Sequence, residues 1–530
     1  MMVAMENLFG VPMRNGRNSS LRVLLVLAAW GCMPIPPANA DEPAAPRSNA
    51  DTPQGTGKAS GTQPKHVGAL PKVRVAADGR SFVTADGRAF VPMGINYYRP
   101  GMGWAPRLWL RFDAQATRQD FVRMKALGVN CVRVFLSHGS FFQKPDALTP
   151  EGLAKFDQFL AIAEETGIYV HPTGPDGWEE FPAWAQCDRI ADDGYLAALE
   201  TFWRQFGGRY RGRSVIFAYD LRNEPGVAWN TPTTLAKWNA WLQKRYGSAA
   251  KNAKAWGVPL AAIQWGHQEQ PLGDGPPRSR PLLDFHYFRE GLADDWTRRQ
   301  AATIKSVDPE ALVTVGFLSG SVPAHETWGG GYSCFRPARQ TRFLDFLEVH
   351  LYPTMSGYSD EAEQRNLAHC ESVAREVAAA GKPLVIAEFG WYGGGPIDVA
   401  KGRYHAALHL PAVSQEQQAR WCRKLIETTR GLAVGWLNWG LYDHPEANDC
   451  AQRTGLLTVD GQPKAWAGQF HELATALDGR PIAPARLGPR PRLDWGSCTT
   501  SSAARRKFAE EYYRAFQADC GRPPSEHDPK

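Results

Sequence analysis

Asp220-Leu221-Arg222-Asn223-Glu224-Pro225 follows directly on the apolar run Val215-Ile216-Phe217-Ala218-Tyr219. A short β-rich apolar run bounded by breakers is typical of a strand buried in a parallel sheet. The strand carries Asn223 and Glu224 at its carboxyl end, and Pro225 ends it because proline cannot donate to the ladder. A second run, Pro383-Leu384-Val385-Ile386-Ala387, ends in the same way on Glu388. The sequence therefore predicts two glutamates at one edge of a parallel sheet.

Eight strand-like segments alternate with helical patterns along the chain. The strands are predicted at residues 90–95, 131–136, 168–173, 215–221, 312–317, 343–351, 384–388 and 433–439. Their alternation with helices predicts a parallel sheet, and eight units predict closure into a (β/α)8 TIM barrel of the α/β class. An open doubly wound sheet is disfavoured, because no glycine-rich phosphate-binding pattern follows the first strand.

The barrel is predicted to occupy only part of the 530-residue chain. Residues 1–40 have the basic region, short apolar stretch and Ala38-Asn39-Ala40 cleavage site of a secretory signal peptide. Cleavage after Ala40 implies a secreted or periplasmic protein. A lipoprotein anchored through Cys32 ranks lower, because the expected leucine three positions earlier is absent.

The remaining chain divides by composition. Residues 41–70 are predicted to be a disordered linker, 71–480 the barrel domain, and 481–530 a Pro/Arg-rich extension. We expect flexible tails at both ends, although the sequence leaves open whether the extension packs on the barrel. A long, Trp-rich insertion at 226–281 follows the fourth strand, and insertions on that edge of a barrel usually shape a substrate cleft.

Composition narrows the classes of partner. The chain is 43% hydrophobic with 19 Trp, enough for a large core, and its net charge of +6 is spread out. No basic stripe is interleaved with aromatics, so no nucleic-acid partner is expected. No segment has the length and apolarity of a membrane span. We expect a monomer that binds carbohydrate.

Nine cysteines are present, and eight remain after the predicted cleavage. An even number in an exported protein permits disulfides. Cys334–Cys370 and Cys498–Cys520 are the candidate pairs, whereas Cys131 is expected to be a small buried side chain in a strand. No Cys/His spacing is typical of a metal site, so neither a metal nor a cofactor is expected.

Two carboxylates at the carboxyl edge of one barrel are what glycoside hydrolysis requires. In a retaining enzyme they lie about 5–5.5 Å apart, one acting as acid/base and the other as nucleophile. The acid needs a raised pKa, whereas the nucleophile must be ionised, which a neighbouring cation favours. The alternative for both glutamates is a buried ion-pair network with a structural role.

Five motifs carry a family resemblance. Arg133, Asn223-Glu224-Pro225, His350-Leu351-Tyr352-Pro353, Glu388-Phe389-Gly390 and Trp439 together resemble the retaining β-glycosidases of clan A, most closely glycoside hydrolase family 5. The resemblance covers most of the chain and excludes both tails.

The resemblance implies a role for each matching residue. It implies that Glu224 is the acid/base, that Glu388 is the nucleophile, and that Arg133 is the cation that keeps the nucleophile charged. It also implies that Asn223 binds the sugar 2-hydroxyl and that His350 and Tyr352 bridge the two carboxylates. Trp439 would form the floor of the first glycone subsite. Three more tryptophans follow motif strands closely and are candidate sugar platforms: Trp178, Trp229 and Trp391.

Two features depart from the cellulases of that family. In many of those cellulases a histidine ends the third strand. Here His171 comes too early in the strand and is followed by Pro172, so no role is assigned to it. The insertion after strand four instead resembles barrels that act on chain ends, such as family 42-like β-galactosidases.

The leading hypothesis is an exported retaining β-glycosidase that cleaves β-mannan or β-glucan in an open groove. One alternative is an exo-acting β-galactosidase- or β-mannosidase-like enzyme with a closed pocket, and another is an inactive barrel that only binds carbohydrate. A metal-dependent hydrolase is disfavoured because no His-x-His follows the first strand.

Overall fold

The computed structural model describes residues 70–102, 105–177, 180–229, 231–325, 331–354, 358–400 and 407–520. The predicted signal peptide, Cys32, nearly all of the linker and Trp178 lie outside these ranges, as do residues 521–530. Among the described helices, none combines the length and apolarity needed to cross a membrane.

Thirteen strands are present in the described ranges. In chain order they are β1 (Val73–Val75), β2 (Phe82–Thr84), β3 (Ala89–Phe90), β4 (Met93–Asn96), β5 (Cys131–Ser137), β6 (Tyr169–Asp176), β7 (Tyr219–Asn223), β8 (Val313–Phe317), β9 (Leu347–Leu351), β10 (Leu384–Phe389), β11 (Gly395–Val399), β12 (Leu408–Val413) and β13 (Trp436–Trp439).

Eight of these strands close into a parallel barrel in the order β10-β13-β4-β5-β6-β7-β8-β9. They are the eight strands that the sequence predicts, so the (β/α)8 fold is confirmed. Strands β5 and β10 are buried at every position, which explains their nearly continuous apolar sequences.

A small antiparallel sheet, β1-β2-β3, was not predicted and closes the amino-terminal end of the barrel. Phe82 packs edge-on against Phe217 and Phe346, with ring centroids 5.2 Å apart in both cases. Phe90 packs edge-on against Tyr169 and at a tilt against Phe217. Because aromatic rings fill this end, the opposite, carboxyl edge is the one left for a site.

Thirteen α-helices surround and extend the barrel in the described ranges. They are α1 (Ala114–Ala126), α2 (His138–Phe141), α3 (Pro150–Thr166), α4 (Asp193–Arg209), α5 (Pro232–Tyr246), α6 (Ala249–Trp256), α7 (Arg280–Val307), α8 (Pro337–Gln340), α9 (Asp360–Ala378), α10 (Gln415–Thr429), α11 (Ala465–Leu477), α12 (Trp495–Thr500) and α13 (Ser502–Cys520). Side chains fix several of their first turns: Thr231 and Ser414 form capping boxes that satisfy exposed N–H groups of α5 and α10.

The insertion after β7 folds as α5 and α6, which pack through stacked tryptophans. Trp238 lies with its ring centroid 5.5 Å from that of Trp241 and 6.4 Å from that of Trp256. Phe285 and Phe288 of α7 complete this cluster. These three tryptophans therefore pack the interior of the insertion.

The C-terminal segment does not form the flexible tail that was expected, at least over residues 481–520. Helix α13 places Phe508, Tyr512 and Phe516 on one face, four residues apart, and all three are buried in the main core. Arg490 contacts Glu371 on α9 over 2.6 Å. Of the two alternatives that the sequence left open, packing on the barrel is the one observed.

Neither proposed disulfide is formed. Cys334, Cys370 and Cys498 are free thiols. Cys334 instead lies with its Sγ 3.8 Å from Nδ1 of His286, and burial raises the pKa of its thiol to about 12. The predicted pairs were wrong because an even number of cysteines and a plausible spacing do not determine which thiols come together in the fold. Cys131 is buried in β5, as expected.

Candidate active site

The two glutamates stand at the carboxyl edge of the barrel. Glu224 directly follows β7, and its backbone N–H donates to the Gly316 carbonyl over 2.8 Å, which extends the pairing with β8. Its φ of 45° is left-handed, a conformation that is rare for a non-glycine residue and that concentrates at functional sites. Glu388 lies in β10 and is paired in register with His350 of β9.

The carboxylates face one another across His350. One oxygen of Glu224, one of Glu388 and a ring nitrogen of His350 all lie within 4.8 Å of one another. Nδ1 of His350 is 2.9 Å from Oε1 of Glu224 and 3.5 Å from Oε1 of Glu388. The Tyr352 hydroxyl donates to Oε2 of Glu388 over 2.8 Å. His350 therefore contacts both carboxylates, whereas the hydrogen bond of Tyr352 goes to Glu388.

Arg133 is the fully buried cation of the site. Its Nη1 donates to Oε1 of Glu388 over 2.7 Å and to Oδ1 of Asn96 over 2.8 Å. Its Nη2 donates to Oδ2 of Asp220 over 2.7 Å and to Oδ1 of Asn223 over 2.9 Å. One guanidinium thus fixes four side chains from β4, β7 and β10, and its planar set of donors suits this role.

Asp220 and Asn96 belong to the site although the sequence analysis gave neither a role. Asp220 anchors Arg133, and Asn96 donates to the Ala387 carbonyl over 2.8 Å beside the nucleophile candidate. An ionisable residue inside an otherwise apolar strand, four positions before Glu224, was a usable signal for Asp220. The role of Asn96 could be inferred only once β4 was known to end beside β13 and β5.

Burial and charge act in opposite directions on Glu388. Burial raises the pKa of this carboxyl above its usual value, and the proximity of Glu224 adds to the increase. His350, Arg133 and Tyr352 lower it, but burial prevails. Arg133 therefore acts in the expected direction without fully offsetting the low-dielectric surroundings. Burial also lowers the pKa of His350 to about 4, although the charge of Glu388 opposes this shift.

An aromatic cluster lines the site beside the glutamates. The Trp439 ring centroid lies 5.5 Å from that of Tyr98 and 5.9 Å from that of Phe135. Tyr352 belongs to the same cluster, and Ala447 and Ala451, from the loop after β13, pack on it. Trp439 therefore lies in the cluster that includes Tyr352, with most of its surface covered.

The other proposed platforms differ in position. Trp391 belongs to the main hydrophobic core, where its ring packs against Tyr392 and Trp421. Trp229 is half-buried under the guanidinium of Arg289, which stands 4.9 Å from its ring centroid. Of these two, only Trp229 keeps surface available for a ligand, and Trp178 lies outside the described residues.

His171 has a structural role, consistent with its being left without a catalytic one. Its Nε2 is 2.6 Å from Oε1 of Glu348, and its Nδ1 is 2.8 Å from the Ala218 carbonyl oxygen. Both side chains are fully buried inside the barrel. Burial lowers the pKa of His171, but Glu348, Asp220 and the Ala218 carbonyl together raise it above its usual value.

Glu224, His350 and Glu388 could each offer one ligand atom to a metal ion. However, Nδ1 of His350 is already in hydrogen-bond contact with Glu224, and the Arg133 guanidinium contacts Glu388. Because the positively charged guanidinium of Arg133 is fixed on Glu388, binding of a metal cation at the same carboxylate is disfavoured. The arrangement is better matched to proton transfer and nucleophilic attack than to metal binding.

Comparison with known proteins finds similarity to glycoside hydrolases. The family model of the family 42 β-galactosidases matches residues 170–390, a stretch that includes Glu224, His350, Tyr352 and Glu388. Mannan endo-1,4-β-mannosidase A of Emericella nidulans is 23% identical over 251 residues, which are 45% of this chain and 49% of that protein.

Solved structures share the fold. The exo-β-1,4-mannosidase of Opitutaceae bacterium strain TAV5 superposes with a TM-score of 0.53 at 19% identity, over 76% of this chain and 62% of that one. A family 5 subfamily 18 protein of Streptomyces cattleya, bound to Manβ1-4GlcNAc, superposes with a TM-score of 0.53 at 17% identity, over 81% and 93% of the two chains.

These likenesses define a class. The chain has the clan A-like (β/α)8 fold of glycoside hydrolases, as its motifs indicated, and the family model and the curated relatives that it matches are those of enzymes that act on O-glycosyl bonds. The chain spans about half the length of the curated mannanase that it matches.

Proposed function

We propose that the protein is a retaining β-glycosidase of the family 5 type, with Glu224 as acid/base and Glu388 as nucleophile. The observation that carries this proposal is the approach of the two carboxylates to within 4.8 Å, both in contact with His350. An inverting enzyme needs room for a water molecule between them, about 6.5–9.5 Å. The observed spacing fits direct attack by Glu388 on the anomeric carbon.

In the proposed reaction, Glu388 attacks while Glu224 gives a proton to the departing oxygen. Glu224 then removes a proton from a water molecule whose oxygen attacks the anomeric carbon; the bond to Glu388 breaks, and the sugar is released with its β configuration retained. Arg133 and Tyr352 hold the attacking carboxylate by donating to different oxygens of it. Asn223, fixed by Arg133, stands next to Glu224 where it can bind the 2-hydroxyl.

The substrate that we propose is a β-mannoside at the end of a saccharide chain. The mannosidases among the relatives support the mannose part, while the family 42 match makes a β-galactoside the second candidate. Exo action is supported by the depth of the site: Glu224, Glu388, Tyr352 and Trp439 are each no more than 7% exposed. Such enclosure fits a pocket for one chain end better than an open groove for β-mannan or β-glucan.

An inactive barrel that only binds carbohydrate is the weaker alternative. Such a barrel would have no need of two buried carboxylates within 4.8 Å of each other, since bringing like charges together away from water is costly. We also propose export, with cleavage after Ala40. N-terminal sequencing of the mature protein tests this, and a lipid-modified start at Cys32 would contradict it.

Hydrolysis of p-nitrophenyl β-mannoside, β-glucoside and β-galactoside, together with mannobiose and polymeric mannan, tests the function. We expect the β-mannoside and mannobiose to be cleaved faster than the polymer, with the β anomer appearing first by NMR. Glu388→Gln should abolish turnover, whereas Glu310→Gln, at an exposed site remote from the cluster, should not. An α anomer as first product would contradict retention.

A further inference from the structure

A cavity lies away from the two glutamates, between α9 and α13. Its volume is about 360 Å³, within the range of small-molecule pockets. The loops after β8 and β9 contribute His325 and Thr354, α9 contributes His369, and α13 contributes Glu510 and Tyr513. One wall is therefore built by the C-terminal segment, which lies beyond the part of the chain that matches the family model.

His369 gives the cavity a polar group without a protein partner. The side chain is 7% exposed, and its Nδ1 has no hydrogen-bond partner in the described part of the chain. Its ring centroid lies 5.1 Å from that of His325. Burial, with a smaller contribution from His325, lowers the pKa of His369 to about 3, so the ring is neutral. Each nitrogen of a neutral imidazole is either a donor or an acceptor, and leaving Nδ1 unused in a buried place is costly.

The rim of the cavity carries charges of both signs. Nη1 of Arg365 donates to Oε2 of Glu510 over 3.0 Å, and the same guanidinium lies 4.0 Å from the ring centroid of Tyr513. Glu510 disfavours an anionic ligand, and Arg365 with the nearby Arg506 disfavours a cation. Ala368 and Ala509 leave room between these groups. Donors, acceptors and an aromatic side chain around small residues suit a neutral polyhydroxylated molecule.

We propose that this cavity is a non-catalytic binding site for a neutral saccharide unit. The inference rests on the proposed function, because a carbohydrate-cleaving enzyme meets sugars at high local concentration. Thr354 connects the two sites: it stands two residues after Tyr352, and both its backbone N–H and its hydroxyl donate to Oδ1 of Asn366 on α9, over 2.7 and 3.1 Å. A saccharide held in the cavity is thus anchored beside the segment that positions the nucleophile.

Equilibrium binding of β-1,4-mannobiose to the full-length Glu388→Ala protein tests the proposal. We expect two sites per chain by calorimetric titration, and density for sugar in the cavity of soaked crystals. Ala509→Phe should fill the cavity, and His369→Phe should remove the unpartnered Nδ1. Each should weaken the second site at least tenfold, whereas Ala503→Phe, at an exposed position of the same helix, should not.

Activity separates this proposal from the proposed function. With Glu388 restored, Ala509→Phe and His369→Phe should hydrolyse p-nitrophenyl β-mannoside as the unaltered enzyme does. A single binding site in the starting protein, or a second site that survives both substitutions, would overturn the cavity proposal while leaving the function intact. Inorganic phosphate that binds there and displaces mannobiose would also overturn it, in favour of an anion site. Absence of hydrolysis in the unaltered enzyme would instead count against the proposed function.

Discussion

Nη2 of Arg133 donates to Oδ2 of Asp220 over 2.7 Å, and both side chains are fully buried. The Thr173 hydroxyl donates to the same oxygen over 3.0 Å, while Oδ1 accepts the backbone N–H groups of Gly316 and Arg222. Asp220 is thus fixed from three sides and holds Arg133 so that its Nη1 reaches Glu388. It acts through Arg133 and is a positioning residue for the nucleophile.

Asp220→Asn should change both the rate and the pH profile. The amide keeps the shape of the carboxyl but removes its charge, so Arg133 stabilises ionised Glu388 more strongly and the pKa of Glu388 falls. We expect kcat to fall at least about tenfold because Arg133 is less well oriented, and the acid limb of kcat/KM to move to lower pH. Asp295→Asn, in an exposed ion pair, is the control. A lower rate with an unmoved acid limb would leave Asp220 a purely structural role.

The acid limb of the unaltered enzyme should lie above the ordinary pKa of glutamate, 4.5, because burial raises the pKa of Glu388. The nucleophile must be ionised, so activity is lost as the pH falls through that raised pKa. Tyr352→Phe removes a hydrogen bond that lowers the pKa, and should shift the limb to still higher pH. The profile of kcat/KM against pH for an aryl β-mannoside measures both effects. Tyr287→Phe, at an exposed site, should leave the limb in place.

The barrel was predictable because its signals are local. Each strand is a short apolar run, and the motif residues stand at strand ends, where parallel topology gathers them whatever the loops do. The sheet β1-β2-β3 was missed because its strands have only two or three residues. Asn96 was missed because its role depends on closure of β4 against β13.

The disulfides and the C-terminal tail show where such reasoning stops. Whether Cys334 and Cys370 form a disulfide depends on their positions in the fold, and their spacing in the sequence does not give those positions. The Pro/Arg-rich composition of residues 481–530 predicted flexibility, yet the apolar face of α13 and the contact between Arg490 and Glu371 anchor the described part. A few well-spaced apolar residues outweighed the average composition.

Gly316→Ala should damage the site through packing. A Cβ at this position of β8 would lie 2.9 Å from Nε2 of His350, 3.0 Å from Nη2 of Arg133 and 3.1 Å from Oδ2 of Asp220. All three groups are fixed by buried hydrogen bonds, so we expect a loss of about 1–3 kcal/mol in stability and a larger loss of kcat/KM. Gly208→Ala in α4 is the control, since a Cβ there meets nothing within 4 Å. It should raise the melting temperature slightly. Equal activity in both variants would show that the cluster can shift without consequence.

A test of the role of Trp439 in sugar binding requires a conservative substitution. Its ring is buried against Tyr98 and Phe135, so Trp439→Ala should cost about 3–5 kcal/mol in folding as well as activity. Trp439→Phe keeps an aromatic face but reduces the area available for stacking on the sugar. We expect kcat/KM to fall more than tenfold with a small change in melting temperature. Trp421→Phe, buried in the main core, should show the reverse pattern. Loss of stability with unchanged activity per folded molecule would assign Trp439 to packing alone.

The roles of the two glutamates can be separated chemically. Glu388→Ala removes the nucleophile, so no covalent glycosyl-enzyme forms and turnover of every substrate should fall by several orders of magnitude. Glu224→Ala removes the proton donor, but a dinitrophenyl glycoside needs no proton on its leaving group and should still glycosylate Glu388. The second step then stalls, because the same residue must activate water. Glu224→Ala should therefore give a burst followed by slow turnover, and azide should rescue it to a β-configured glycosyl azide. In Glu388→Ala, azide should enter from the face left open by the missing carboxylate and give the α product. The opposite pattern would reverse the two roles, and full activity in both variants would remove these residues from catalysis.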